Sequence, residues 1–378
     1  MRLLLIGGGT GGHIYPLVAV SQKITEEMGK RGESVEFRYF GDPGSYGYHL
    51  STNNILVVKI ASSKLRRYFS LLNFLDIFRF FIGILQSLWK VYWFMPDVAF
   101  SKGGPGALAI ILACRFYQIP LVIHESDSIP GLTNKTSAKF AKKIEIAFPS
   151  AAGYFPPKKE INLVGNPVRE YLLKEGEREA AKLNFGFDIN KPLVLVMGGS
   201  QGAESINEFI LENIEAFANK YQVLHQVGQR NFESYKNEYQ FVSKNFSAET
   251  KKNYVFVPYF DLNLKDAYDA CDLIISRAGA GAIFEIASRS KPSILIPLDK
   301  SANDHQRQNA YEYAETGAAL VIEQENLLAN LFISQIDLIL NNPERLEKMV
   351  SAAKNFYKPD VTEKIAEDIV NIAMKFGK

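Results

Sequence analysis

Three places in this chain join an apolar, β-type run to glycines and then to helix-forming sequence. The first is Leu3-Leu4-Leu5-Ile6-Gly7-Gly8-Gly9-Thr10-Gly11-Gly12-His13. The second is Leu193-Val194-Leu195-Val196-Met197-Gly198-Gly199-Ser200-Gln201-Gly202-Ala203, and the third is Ile274-Ile275-Ser276-Arg277-Ala278-Gly279-Ala280-Gly281. Such a junction suits phosphate. The first N–H groups of a helix have no partner within it, and glycine lets an anion reach the backbone. The third junction adds a cation, Arg277, and an acid, Glu285, in the following helix. Phosphate can be met by N–H groups and the guanidinium while Glu285 accepts from sugar hydroxyls. A helix end contributes about 0.3–1 kcal/mol, or ~2 when sheltered, and a charge-assisted hydrogen bond about 1.5–3. Enzymes lower barriers by about 8 kcal/mol or more, so stabilising a departing diphosphate needs several N–H groups together with Arg277.

Other reactive groups recur at the ends of expected strands. His13 follows the first glycines directly, which places an imidazole beside an anion site. Ser101-Lys102-Gly103-Gly104-Pro105-Gly106 is a further glycine turn after a strand at 97–100. His124-Glu125-Ser126-Asp127 follows a strand at 120–123 and leaves three roles open: general base, substrate-hydroxyl ligand or loop brace. A metal site is poorly specified there, because no partner histidine stands at Ser128. Asp304-His305-Gln306-Arg307-Gln308-Asn309 starts a helix whose His305, Gln306 and Asn309 share roughly one face, suited to reading a neutral sugar. Of the five histidines, His13, His124, His225 and His305 fall near strand ends or helix starts, which points to a cleft. Gly7-x-Gly9-x-x-Gly12 also matches the dinucleotide fingerprint, but Asp42 comes late for the ribose acid and Glu36 sits inside the strand. A nicotinamide oxidoreductase therefore has little support.

The elements that must position these groups alternate strand and helix, which predicts an α/β protein with parallel sheets. Strands are expected at 1–6, 34–40, 55–58, 97–100, 120–123 and 144–147, with a helix at 15–30. Gly165-Asn166-Pro167 marks a link, after which the pattern restarts. The second half is expected to hold strands at 193–197, 222–226, 254–257, 273–276, 293–296 and 319–322, and helices at 203–219, 281–288 and 304–315. Beyond Pro343 the pattern is helical, with a break at Pro359. At 378 residues the chain suits two domains. A net charge of +2 gives no argument for nucleic acid, and the two cysteines, Cys114 and Cys271, lie in apolar segments as buried free thiols of a reducing compartment. The opening apolar run is too short for a signal peptide.

The stretch 68–94 is dense in Phe, Tyr and Trp. Asp76, Arg79, Gln86 and Lys90 argue against a bilayer span, leaving a buried core helix or a membrane-surface patch. Lys64, Arg66 and Arg67 just upstream suit anionic headgroups.

Taken together and in this order, these motifs resemble one family: the inverting GT-B glycosyltransferases of family 28. These add N-acetylglucosamine to undecaprenyl-diphospho-N-acetylmuramoyl-pentapeptide in bacterial cell-wall synthesis. The resemblance rests on Gly9-Thr10-Gly11-Gly12-His13, His124-Glu125, Gly131-Leu132-Thr133-Asn134, Gly165-Asn166-Pro167-Val168-Arg169, Gly198-Gly199-Ser200-Gln201-Gly202-Ala203, His225-Gln226-x-Gly228, Ser276-Arg277-Ala278-Gly279-Ala280 and Asp304-His305-Gln306-x-x-Asn309. It implies two Rossmann-like, doubly wound parallel-sheet domains facing a central cleft. Residues 1–164 would meet the acceptor and membrane, 165–356 would bind the donor, and a C-terminal helix at about 357–378 would cross back. Arg169, Ser200, Gln201, Phe260, Arg277, Gly279, Ala280 and Glu285 would hold the UDP part, and His305, Gln306 and Asn309 would read the sugar. Gly9, Thr10, Gly11, Gly12, Gly103 and Gly104 would meet the acceptor diphosphate, with His13 as base and Asp127 and Glu125 as further catalytic candidates. No cofactor and no protein-bound metal are implied. The location would be peripheral, on the cytoplasmic face of the membrane, seated through Lys64 to Phe94. Two departures stand out. Ser126-Asp127 replaces the family's usual Gln-Asn, and Pro105 replaces an aromatic. Another GT-B lipid glycosyltransferase or a UDP-sugar epimerase is the alternative.

Overall fold

A computed structural model describes residues 1–62, 72–199, 202–261, 263–299 and 304–376, the side chains of 72–75 excepted. Ser200 and Gln201, and the cationic run Lys64, Arg66 and Arg67, lie outside the described residues. The chain divides into two compact units, Met1–Arg169 with Lys358–Lys378, and Glu170–Tyr357.

The first unit is a seven-stranded parallel sheet in the order β3-β2-β1-β4-β5-β6-β7. Its strands are β1 (Arg2–Ile6), β2 (Glu36–Phe40), β3 (Ile55–Val58), β4 (Val98–Ser101), β5 (Leu121–Glu125), β6 (Lys143–Ile146) and β7 (Ile161–Leu163). β1 is apolar at successive positions because both its faces are covered. Leu3 and Leu5 pack with α1 (Gly11–Lys30) and the last helix, whereas Leu4 and Ile6 pack with the helices of the opposite layer. That opposite layer contains α2 (Leu72–Phe94) and α3 (Ala107–Phe116). Gly83 allows α2 to sit close, since a Cβ there would lie 2.6 Å from the Ala61 carbonyl oxygen.

The second unit is a six-stranded parallel sheet in the order β10-β9-β8-β11-β12-β13. Its strands are β8 (Leu193–Met197), β9 (Gln222–Gln226), β10 (Tyr254–Val257), β11 (Leu273–Ser276), β12 (Ser293–Leu295) and β13 (Ala319–Val321). The helices that matter for the site are α4 (Glu204–Glu212), α5 (Ala280–Ser288) and α6 (His305–Glu315). The expected single helix at 203–219 breaks at Asn213, whose side chain takes up the Phe209 carbonyl at 2.8 Å. Cys114 and Cys271 are both buried free thiols.

The last helix, α7 (Val361–Phe376), packs on the first unit through Val361, Ile365, Ile369 and Val370. A polar clasp stands beside that apolar seam. Lys143 reaches Asp368 at 2.6 Å and Glu160 at 3.0 Å, and Asn162 donates to Asp368 at 3.4 Å. Glu145 of β6 is fully buried, and its carboxylate oxygens have no donor. Burial first, and then the Asp368 carboxylate, push the Glu145 pKa up to about 9. Glu145 is thus protonated in the fold, with its O–H available to Asp368. An acid whose pKa is raised on folding stabilises the fold fully only below its unfolded value near 4.5, and that contribution is lost as pH rises toward about 9. Glu145→Gln removes this dependence. Its Tm advantage over the wild type should grow between about pH 5 and about pH 9, at about 2–4 °C per kcal/mol, in thermal unfolding scans. Parallel pH profiles for the two proteins would refute the shared proton.

Candidate active site

In open parallel sheets, ligands bind beyond the carboxyl ends of the strands, where the strand order reverses. In the first unit that point lies between β1 and β4, and in the second between β8 and β11. The glycine loops found in the sequence follow these four strands.

In the first unit, α1 begins at Gly11 rather than at 15, so His13 lies in its first turn. Glycines are weak helix formers, but burial of Ile14, Leu17 and Val18 against the sheet carries the helix back through them. His13 Nδ1 is hydrogen-bonded to Thr10 Oγ1 at 2.9 Å. A Cβ on Gly8 would lie 3.0 Å from His13 Nδ1 and 3.2 Å from Pro105 Cδ. A Cβ on Gly104, whose φ is +94°, would lie 2.8 Å from the Gly8 nitrogen and 3.3 Å from His13 Cε1. The two loops therefore touch across the switch point, with the imidazole held between them. Burial, and then the Lys102 charge, hold the His13 pKa down to about 4, while Asp127 pulls it the other way. His13 is neutral at neutral pH, as a proton acceptor must be.

The loop after β5 is braced rather than open. Glu125 accepts from the N–H groups of Asp127 at 3.0 Å and Gly131 at 3.2 Å, and from Asn134 Nδ2 at 2.9 Å. Of the three roles left open, this arrangement suits the brace for Glu125. Burial and the Asp127 charge raise its pKa. His124 is fully buried; its Nε2–H donates to the Gly165 carbonyl at 2.8 Å, so Nδ1 is an acceptor. Asp127 is half-buried at the loop's tip. Arg169 lies in this unit, its guanidinium 4.6 Å from the centre of the Tyr15 ring.

In the second unit, β8 ends at Met197 and α4 begins at Glu204. Gln226 ties this loop to the next: it donates to the Gly199 carbonyl at 2.9 Å and accepts the Phe260 N–H at 3.1 Å. The Phe260 ring is fully buried, edge-on to Phe185, so its backbone is the part nearest this loop. α5 starts at Ala280, with Gly279 extended before it. Gly279 and Gly281 have ordinary φ values, and a Cβ on either would meet nothing within 4 Å. Packing does not demand glycine at either position, and the space beside the helix start is open. Glu285 lies on this helix and accepts from Tyr268 Oη at 3.3 Å.

Three expected ligand groups are engaged by the protein itself. Arg277 is 8% exposed. Its Nη1 donates to the Ile296 and Pro297 carbonyls at 3.2 and 3.0 Å, and its Nη2 to Ser205 Oγ and Gln324 Oε1, each at 2.7 Å. Four of its five N–H groups are thus spent on the protein, so a phosphate can meet only Nε–H unless that fork lets go; as it stands, Arg277 braces the loop that carries Gly279. Asn309 is fully buried and donates to the Ala278 carbonyl at 3.4 Å. Gln306 accepts the Leu298 N–H at 3.1 Å. His305 is the first residue of α6 and half-buried. Arg277→Lys should lower Tm and affinity for the expected UDP together, because an ammonium cannot span four acceptors. Thermal shift with and without UDP measures both. Loss of UDP affinity with an unchanged Tm would instead show direct contact.

His225 corrects the cleft reading of the histidines. It is fully buried within β9, its Nδ1 bonded to Tyr254 Oη at 2.8 Å and its Nε2 to Asn207 Oδ1 at 3.1 Å. Burial holds its pKa down to about 3. It is a satisfied core histidine, and its partners are distant in sequence. The structure adds Lys102, Asn134, Asn166 and Gln226 to the groups around these loops. The signal for Lys102 was its place within the 101–106 glycine turn.

Two parallel, doubly wound sheets with glycine loops at both switch points are the elements of the GT-B fold. Residues 3–146 match the glycosyltransferase family 28 N-terminal domain, and residues 193–365 the family 28 C-terminal domain. One relative, from Desulforamulus reducens, is 33% identical over 98% of this chain and 99% of its own. Another, from Clostridium tetani, is 34% identical over 92% of each. Both bear the name UDP-N-acetylglucosamine–N-acetylmuramyl-(pentapeptide) pyrophosphoryl-undecaprenol N-acetylglucosamine transferase. The crystal structure of Acinetobacter baumannii MurG superposes with a TM-score of 0.72 at 24% identity, covering 98% of this chain and 99% of that one; this speaks for the fold. The chain belongs to glycosyltransferase family 28.

Proposed function

We propose that this protein transfers N-acetylglucosamine from UDP-N-acetylglucosamine to the muramoyl 4-hydroxyl of undecaprenyl-diphospho-N-acetylmuramoyl-pentapeptide, with inversion. The observation that carries the reading is 33–34% identity, over 92–98% of the chain, to transferases named for that reaction. Those names also favour transfer over epimerisation.

In the forward step the acceptor 4-oxygen attacks the anomeric carbon, the bond from that carbon to the diphosphate oxygen breaks, and UDP leaves. The hydroxyl proton passes to His13, which is neutral and set at the head of α1. Asp127 acts on the same spot electrostatically, and Glu125 holds its loop. Gly9, Thr10, Gly11, Gly12, Gly103 and Gly104 form the turns assigned to the acceptor diphosphate. The starts of α4 and α5, with Ser200, Gln201, Gly279 and Ala280, take the UDP phosphates, a use of helix termini that needs no metal. Glu285 and His305 take the hydroxyl-bearing parts of the donor, and Gln306 and Asn309 join them only on release from the Leu298 N–H and the Ala278 carbonyl. UDP release from purified protein with both substrates, measured against a control lacking acceptor, tests the reading. Equal release in the two would overturn it.

The proposal includes a seat on the cytoplasmic membrane surface. Among the described residues, no helix is long and apolar enough to cross a membrane. α2 nevertheless presents Ile77, Phe78, Phe81, Ile82, Leu85, Trp89, Tyr92 and Trp93 at 48–68% exposure, while Asp76, Gly83, Ser87, Val91 and Phe94 face the protein. That favours the surface patch over the core helix, and its aromatics suit a bilayer interface. Replacing Phe81, Leu85 and Trp89 together by Ser should abolish flotation with phosphatidylglycerol vesicles and leave Tm within about 2 °C, since exposed side chains contribute little to the fold. Unchanged flotation would remove the seat.

A further inference from the structure

Lys102 has no part in the reaction as written, yet it is the most unusual charge in the first unit. It is 3% exposed, at the carboxyl end of β4 beside the switch point. Its ammonium spends its three N–H groups on His124 Nδ1 at 2.5 Å, Ser126 Oγ at 2.5 Å and Asn166 Oδ1 at 3.1 Å. Ser126 in turn donates to Asn166 Oδ1 at 3.1 Å. Three segments thus meet on one nitrogen: the 102–106 turn, the loop after β5, and the 165–166 turn. A buried ammonium is costly unless paired. Among the described residues, no carboxylate bonds it directly; Glu125 and Asp127 supply its counter-charge through space. Its own field reaches the adjoining loop, where His13 feels it.

We propose that Lys102 is a positioning residue for proton transfer: it fixes the loop that carries Asp127 and, in its protonated form, presents a positive charge to His13. The proposal rests on His13 as the base, as set out above. Its consequence is electrostatic. A cation beside an imidazole disfavours the imidazolium, so Lys102 keeps His13 able to accept a proton in mildly acidic as well as neutral conditions. Among the described residues, the charged groups that act on His13 are Lys102 and Asp127, with Thr10 as its hydrogen-bond partner. Burial is the larger influence on His13 and would persist without Lys102, so the change on removing it is partial. The frame also explains why a serine serves at position 126: its hydroxyl both accepts from Lys102 and donates to Asn166.

The test uses the full chain with Lys102→Met and Lys102→Arg. The His13 ring is followed by NMR titration and assigned by its loss in His13→Gln. In Lys102→Met the His13 titration should move up by about one pH unit, whereas Lys102→Arg, which keeps the charge, should leave it near the wild-type position. The acidic limb of the kcat profile should move with it, so that Lys102→Met loses activity most at low pH and recovers on raising pH. An unmoved His13 titration in Lys102→Met, or an equal rise in Lys102→Arg, overturns the proposal. The NMR arm needs no turnover. If it gives the expected shift while the wild type transfers no sugar, the electrostatic role stands and the assigned reaction falls.

Discussion

His13→Ala lowers kcat by about 10²–10⁴-fold, the usual range for a lost general base, and leaves the KM for UDP-N-acetylglucosamine within about twofold. The asymmetry follows from placement. His13 stands in the first unit among the turns at residues 8, 10 and 104–105, whereas the loops proposed for the donor belong to the second. On the proposed assignment, removing the imidazole takes away a proton acceptor and no donor contact. With His13 held in the neutral form by burial and by Lys102, the acidic limb of the wild-type profile should lie below neutral pH if His13 is the base. Steady-state kinetics across pH, with Asp127→Asn measured in parallel, checks this. Comparable losses in kcat and donor affinity would make His13 a binding residue, and a larger kcat loss in Asp127→Asn would move the proton to Asp127.

Gly281→Ala should stabilise the protein while weakening donor binding. Gly281 lies in the first turn of α5 with an ordinary φ, and a Cβ there touches nothing within 4 Å. On the fold alone, alanine is the better residue by about 0.5–1 kcal/mol. A glycine kept where the fold would gain from alanine marks space that the fold does not use, and the UDP phosphates are the proposed occupant. A methyl group in that space should raise the KM for the donor about tenfold or more, equivalent to about 1.4 kcal/mol. Gly281→Val should raise it further. Thermal unfolding and donor titration read the two effects independently. A rise in Tm with unchanged donor affinity would mean that the space beside α5 belongs to no ligand.

The sequence showed well what depends on local pattern. β1, β8 and β11 carry apolar runs at 3–6, 193–197 and 273–275 because both their faces are covered, so the runs and the glycines after them could be read directly. Helix starts were harder, since propensity argues against Gly11 and Gly12 while the packing of Ile14 and Leu17 favours them. The site's hydrogen-bond economy was hidden. Arg277 reads as a loop cation, but the carbonyls of Ile296 and Pro297 that engage it belong to a neighbouring strand's end. His225 reads as a strand-end ligand until Tyr254 and Asn207 are seen on its two nitrogens. Lys102 is unremarkable in sequence, because its three acceptors lie 22, 24 and 64 residues away. Glu145 looks like a surface carboxylate until α7 covers it beside Asp368.

The most direct test of the account follows the sugar itself. Purified protein is incubated with UDP-N-acetylglucosamine labelled in the sugar and with undecaprenyl-diphospho-N-acetylmuramoyl-pentapeptide, and the products are separated by polarity. The account predicts label in the lipid fraction, β-linked to the muramoyl 4-oxygen, with one UDP released for each sugar transferred. Label recovered as free sugar or as an epimerised UDP-sugar, with none on the lipid, would contradict it.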